Sequence, residues 1–296
     1  MSKRPIILSI AGIDSGGGAG VTADVKTASG LGAYALNAVT CVTAQNTKRV
    51  KTIFPIPATV LKDQLLTLAE DFEIDSVKIG MIYSLENVEV IAEWLNLFKC
   101  RNVVLDPVLR STSGVDLVEE TAKEKIFDVL LKFSDLVTPN FPEFHYMLSH
   151  YNKGYILEKL KSSTTKKLFF EILEEASRFF FSINTPPIFL KGGHLPTMIR
   201  ESHVVNEFQH FDLLLKEGKV EVFESDFIFT KNSHGTGCAT STAISVCLGR
   251  GESLSDAIKF AQNYVRNSIK LARGSMVGNG NSAIEHFNPS YLRRFY

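Results

Sequence analysis

Short runs of aliphatic and β-branched residues alternate along this chain with longer segments whose apolar positions recur at helical spacing. Pro5–Ile10 reads as a buried strand, Gly12–Gly20 as a glycine loop and Val21–Leu31 as a helix. Ala33–Thr43 and Val50–Phe54 are strand candidates. In Pro57–Phe72 the residues Val60, Leu61, Gln64, Leu65, Leu68 and Ala69 keep a helical period. Ser76–Ile79 predicts a short strand, Glu86–Phe98 a helix, Asn102–Leu105 a strand, Thr121–Phe133 a helix and Asp135–Val137 a strand. The pattern loosens between Asn152 and Thr185, where Lys166–Phe181 still reads as an amphipathic helix whose aromatic stripe suits a core. Pro187–Leu190 is another strand. Ser202–Glu224 alternates around Glu217-Gly218, a hairpin signal. Gly235–Leu248 and Leu254–Leu271 read as helices. Strands separated by helices of this length imply β-α-β units around a parallel sheet. No linker rich in Pro, Ser or charge cuts residues 1–296, so a single α/β domain without internal repeats is expected.

Charge narrows the partners. The 296 residues carry 32 basic and 32 acidic side chains, so no net field steers the protein to nucleic acid or an anionic membrane. No apolar stretch approaches the roughly 20 residues that span a bilayer. Residues 1–5 run into a strand-like segment and then glycines rather than a signal-peptide pattern, so a cytoplasmic location is expected. Cys41, Cys100, Cys238 and Cys247 have no zinc spacing and suit a reducing compartment as free thiols.

In open parallel sheets, ligands bind beyond the carboxyl ends of the strands. Polar residues and glycines gather there in this chain: Asp14 with Gly16-Gly17-Gly18, Gln45-Asn46, Gly80-Met81, Asp106, Asn140 with Glu143, and Lys191-Gly192-Gly193. Gly235-Thr236-Gly237 opens a helix of small residues. A helix N-terminus has unpaired N–H groups and partial positive charge, and glycine lets a phosphate approach closely. Thr236 adds a hydroxyl. Neither G-x-x-x-x-G-K-[ST] nor G-x-G-x-x-G is present. Lys191 suits phosphates, and Asp106 and Glu143 suit Mg²⁺ directly or through water. The plain alternatives are a solvated lysine, a turn aspartate and, for Asn140-Phe141-Pro142-Glu143, a helix cap with proline in the first turn.

These residues carry a resemblance. Ala11–Gly20 with Ala23-Asp24-Val25-Lys26-Thr27, Leu31–Tyr34, Ala44–Thr47, Lys78–Met81, Val103–Val108, Thr138-Pro139-Asn140 with Glu143, Lys191–His194 and Thr230–Cys238 follow, in order, the motifs of the hydroxymethylpyrimidine/phosphomethylpyrimidine kinases of the ribokinase-like superfamily. The resemblance implies a three-layer α/β/α fold around a mostly parallel sheet, and a homodimer. It implies two ATP-dependent phosphorylations at one site. The first acts on 4-amino-5-hydroxymethyl-2-methylpyrimidine and the second on its monophosphate, for thiamine biosynthesis. By the same resemblance, Gly12, Ala19, Asp24, Gln45 and Met81 would bind the pyrimidine. Asn140, Lys191 and Thr236 would bind ATP, and Asp106 and Glu143 would organise Mg²⁺. Gly235, Gly237, Cys238 and Lys191 would carry catalysis. Ser111–Gly114 falls where the family has a mobile cover. Ile13 replaces a usual hydroxyl residue, Asn152–Thr185 is longer than usual, and Val277–Ser282 only partly matches the family's glycine-rich tail.

Cys238 stands where many sugar kinases of the superfamily have Asp. An unperturbed thiol titrates at about 8.5 and a helix N-terminus lowers that value, so a thiolate base is expected. The rival enzyme is a pyridoxal kinase of the same superfamily. Gln45 suits the aminopyrimidine better, since a carboxamide can pair with a ring nitrogen and an exocyclic amine. A nucleotide-binding regulator without turnover is the reading from another class. The presence of Lys191, Asp106 and Cys238 argues against it.

Overall fold

Ile6–Asp14 (β1) is buried along most of its length, because parallel neighbours flank it on both sides and helices cover its faces. The computed structural model describes residues 4–111, 114–163, 165–194, 209–226 and 228–288. After β1 come Gly20–Gly30 (α1), Tyr34–Gln45 (β2), Val50–Pro55 (β3), Ala58–Asp71 (α2), Ser76–Ile79 (β4), Leu85–Phe98 (α3), Val103–Leu105 (β5) and Glu120–Val129 (α4). The next elements are Leu136–Val137 (β6), Phe141–His150 (α5), Tyr155–Lys161 (α6), Lys166–Ser182 (α7), Ile188–Leu190 (β7), Gln209–Lys216 (β8) and Lys219–Asp226 (β9). Thr236–Gly249 (α8) and Leu254–Leu271 (α9) follow.

The chain divides into two compact units, Met1–Phe133 with Ile228–Tyr296, and Ser134–Phe227. In the first, the strands lie in the order β3-β2-β1-β4-β5, parallel except for the antiparallel edge strand β3. Helices α1, α8 and α9 form one packed group, and α2, α3 and α4 another. Helix α8 is buried from Ala239 to Cys247 and lies against β1, β4 and β5. Its small residues permit this close approach, and the Ser76 hydroxyl donates to the Ser245 carbonyl at 2.8 Å. Amphipathic α9 covers it with Ala257, Ile258, Ala261 and Tyr264.

In the second unit β6 pairs parallel with β7, while β7-β8 and β8-β9 are antiparallel. The β8-β9 turn has positive φ at Glu217 (52°) and Gly218 (79°), the geometry that matches strand twist in a two-residue hairpin. Helix α7 buries Phe169, Ile172, Leu173, Ala176 and Phe180, so its aromatic stripe is core.

Among the described residues, two boundaries differ from the sequence pattern by more than two residues. β1 runs beyond Ile10 to Asp14 because Ala11, Ile13 and Asp14 keep pairing with β2 across a register shift. The helix expected to reach Phe133 tightens to a 3₁₀ turn over Leu130–Phe133. Residues 202–208 of the expected hairpin, and Thr112 and Ser113 of the expected cover, lie outside the described residues.

Candidate active site

The site begins where β1 turns into α1. Asp14 is buried at that turn, and its carboxylate accepts from the backbone N–H groups of Gly16 (2.7 Å), Gly18 (3.1 Å) and Ala19 (3.0 Å). The same carboxylate lies 2.8 Å from Nε2 of His234. Burial raises the Asp14 pKa, but the His234 ring and the Gly16 and Gly18 amides outweigh burial and leave it lowered.

His234 leads directly into α8. Gly235 caps that helix with φ +83° and no side-chain hydrogen bond. The first bond of helical span is made by Ala239 N–H to the Gly235 carbonyl (2.9 Å), so the amides of Gly237 and Cys238 precede the ladder. The Thr236 hydroxyl donates to the Ser233 carbonyl at 3.0 Å and so closes the turn that precedes α8. The half-buried Cys238 thiol takes a hydrogen bond from the Gly20 backbone, which brings the N-termini of α1 and α8 together. One turn on, Ser241 Oγ lies 3.2 Å from the buried Asp106 carboxylate at the end of β5.

The expected low pKa of Cys238 is not found. Burial pushes the thiol up to about 11; nearby Lys78 opposes this, while Asp24 and Asp106 add to it. The helix N-terminus is present, but desolvation dominates.

Asp24 is also different from expectation. It is 1% exposed, and its carboxylate accepts from Lys78 Nζ at 2.8 and 3.0 Å, Ser9 Oγ at 2.6 Å and Thr242 Oγ1 at 2.8 Å. These four contacts saturate the carboxylate, so Asp24 holds Lys78 and the α8 hydroxyl rather than presenting an edge to a ring. Lys78 is fully buried; burial lowers its pKa, yet Asp24, Cys238 and Asp106 raise it overall.

The remaining expected pyrimidine contacts cluster at the strand ends. Gly12 N–H donates to the Met81 carbonyl at 3.1 Å, and Ala19 precedes α1. Half-buried Gln45 places Oε1 3.2 Å from the Thr43 hydroxyl. The 277–282 tail clasps the adjoining turn: Gly280 N–H donates to Thr47 Oγ1 (3.1 Å) and Asn281 N–H to the Thr47 carbonyl (2.9 Å).

Asn140, Glu143 and Lys191 lie in the second unit. Asn140 caps α5, accepting from Glu143 N–H at 2.9 Å, while Glu143 Oε2 accepts from Asn140 N–H at 2.7 Å. This is a capping box with Pro142 in the first turn, so the plain alternative for these residues is realised. Lys191 N–H donates to the Pro139 carbonyl at 2.9 Å, and Gly192 N–H to the Asp212 carboxylate at 2.6 Å, fixing the β7 end. Among the described residues, no group of three or more His, Cys, Asp or Glu side chains is placed to hold a metal ion.

Comparison with known proteins decides the family. The profile described as phosphomethylpyrimidine kinase matches residues 14–285. The chain belongs to this family. It is similar to the thiamine biosynthesis bifunctional protein ThiED of Geobacter sulfurreducens, with 35% identity over 96% of this chain and 52% of that protein. It is also similar to the hydroxymethylpyrimidine/phosphomethylpyrimidine kinase of Aquifex aeolicus, with 35% identity over 91% of this chain and 97% of that one. The chain thus spans about half the length of that bifunctional protein and of the thiamine biosynthetic bifunctional enzyme TH1 of Arabidopsis thaliana. In three dimensions it resembles an ADP complex of Bacillus subtilis pyridoxal kinase, with TM-score 0.77, 25% identity and coverage of 99% and 100%. The fold is the ribokinase-like α/β fold of these kinases.

Two pairings at the site, Lys78 with Asp24 and His234 with Asp14, were not read from the sequence. Lys78 sits in Ser76-Val77-Lys78-Ile79, a strand buried at every position. A charge inside such a run must be paired, and that was its signal. His234 and Asp14 are 220 positions apart, and nothing local in either motif announces the other.

Proposed function

We propose that this chain transfers the γ-phosphoryl group of ATP to the hydroxymethyl oxygen of 4-amino-5-hydroxymethyl-2-methylpyrimidine, and then phosphorylates the monophosphate, for thiamine biosynthesis. Family membership over residues 14–285 carries this reading. The geometry supports it: the start of α8, which no side chain caps, offers the Gly237 and Cys238 amides to an anion, beside the glycine loop after β1.

Gln45 reads the aminopyrimidine from the end of β2, and Gly12, Ala19 and Met81 line its surroundings. Cys238 receives the hydroxyl proton in the first step. Its thiol is largely protonated in the free protein at neutral pH, so the small thiolate fraction does this work. Lys191 and Asn140 serve ATP. Asp106 and Glu143 would serve the Mg²⁺ that accompanies ATP, which would supply charge neutralisation on the phosphates. One Glu143 oxygen is engaged in the α5 cap and Asp106 meets Ser241, which fits contact through water better than direct ligation. A homodimer in the cytoplasm completes the reading. Among the described residues no helix is long and apolar enough to cross a membrane.

The likeness to pyridoxal kinase supports a second reading, phosphorylation of pyridoxal. A coupled ATP assay on hydroxymethylpyrimidine, its monophosphate and pyridoxal separates the two. Turnover of both pyrimidines with a much higher kcat/KM than pyridoxal is expected; the reverse order overturns the proposal.

A further inference from the structure

Three chain segments that are remote in sequence meet at His234. Its ring reaches Asp14, which already gathers the Gly16, Gly18 and Ala19 amides. Its backbone N–H donates to the Ser282 carbonyl at 3.2 Å, and its carbonyl accepts from Ile284 N–H at 3.4 Å. The next residues are the start of α8 with Cys238. The fit is tight on both sides. A methyl group on Gly18 would strike the His234 ring, and one on Gly235 would strike the Gly18 carbonyl. Gly235 also has φ +83°, which penalises any side chain. The two glycine loops are therefore interlocked: the His234–Asp14 pair joins them side chain to side chain, and the Cys238 thiol accepts from the Gly20 backbone.

Resting on the kinase reading above, we propose that His234 is a positioning residue for phosphoryl transfer: with Asp14 it latches the Gly235–Cys238 loop to the Gly12–Gly20 loop. The acceptor lies against one loop and the transferred group against the other. Catalysis of this kind depends on their alignment far more than on covalent chemistry. The imidazole touches neither reactant. It acts through the backbone amides on both sides of the gap.

Amide hydrogen exchange and steady-state kinetics of His234→Ala and His234→Gln in the full chain test the latch. A glutamine amide can still donate to Asp14; alanine cannot. His234→Ala should speed exchange of peptides covering 12–20 and 234–240 together, by about tenfold, the size of one hydrogen bond to a carboxylate. Peptides covering residues 6–11 of β1, and those from β4 and β5, should keep wild-type exchange. For hydroxymethylpyrimidine, kcat should fall by about 10²-fold, as expected for a small misplacement. KM for ATP and acceptor should change less than about threefold, and His234→Gln should recover most of the loss. The latch is overturned if peptide 12–20 exchanges as in wild type, if KM rises while kcat holds, or if exchange rises throughout the sheet without rescue by glutamine. If the wild type phosphorylates no pyrimidine, the reaction reading fails, and the exchange comparison still decides the latch.

Discussion

At Cys238 two physical effects compete. The helix start and the Lys78 ammonium favour a thiolate; burial and the Asp24 and Asp106 carboxylates disfavour it, and the thiol ends at about 11. The sign of the pH effect follows. Thiolate grows as pH rises, so the rate of the first phosphorylation should climb about tenfold per pH unit from neutral, below the thiol pKa. The acceptor in the second step is already a phosphate and needs little deprotonation. Cys238→Ala should therefore slow the first step far more than the second and abolish its pH slope, as single-turnover assays on the two pyrimidines would measure. Equal losses in both steps would make the residue structural. Glu143 and Thr236 carry the same lesson at this scale. Both were legible as residues at helix starts, and both spend a hydrogen bond on the turn that opens the helix.

Among elements, the Asp24–Lys78 pair is the principal tie. It joins α1 to β4, and through Ser9 and Thr242 it adds β1 and α8. Both charges are out of water, so removing either partner leaves the other uncompensated, at a cost of about 3–5 kcal/mol. Asp24→Asn and Lys78→Met should each lower the urea midpoint accordingly. The double variant Asp24→Leu/Lys78→Met should lose much less than the sum, because no bare charge remains. Unchanged stability in the single variants would restore Asp24 to a ligand-contacting role. The strands and helices that meet here were readable from apolar period alone. The pairing was not, because 54 residues separate Asp24 from Lys78 and neither neighbourhood specifies the other.

For the first unit as a whole, acid stability should be set largely by His286. Its Nδ1 lies 3.0 Å from Thr27 Oγ1, while its buried Nε2 has no partner among the described residues. Burial, with the charges of Lys26 and His234, pulls its pKa to about 4 from 6.5. Above 6.5 the ring is neutral folded or unfolded. As pH falls below that, only the unfolded state takes up the proton, so stability drops until about pH 4. The loss should reach about 2 kcal/mol at pH 5. Asp14, with its lowered pKa, adds stability above its ordinary range that is lost at still lower pH. Urea unfolding at pH 7 and pH 5, for wild type and His286→Asn, checks this; the variant should lose most of the difference.

The sequence by itself determined the alternation of strands and helices, the parallel sheet class and the family. These rest on local period and on motifs whose order survives without coordinates. It also placed Gln45, Met81, Asp106 and Cys238 at strand ends or helix starts, since such positions follow from where each element stops. Tertiary structure alone decided their electrostatics. Whether Cys238 is acidic depends on how deeply α8 is buried and on charges brought from β4, β5 and α1. Whether Asp24 faces a ligand depends on a lysine in β4, and His234 acquires a role only because β1 ends beside the start of α8. Desolvation and long-range pairing are properties of the packed chain, and no local stretch of sequence encodes them.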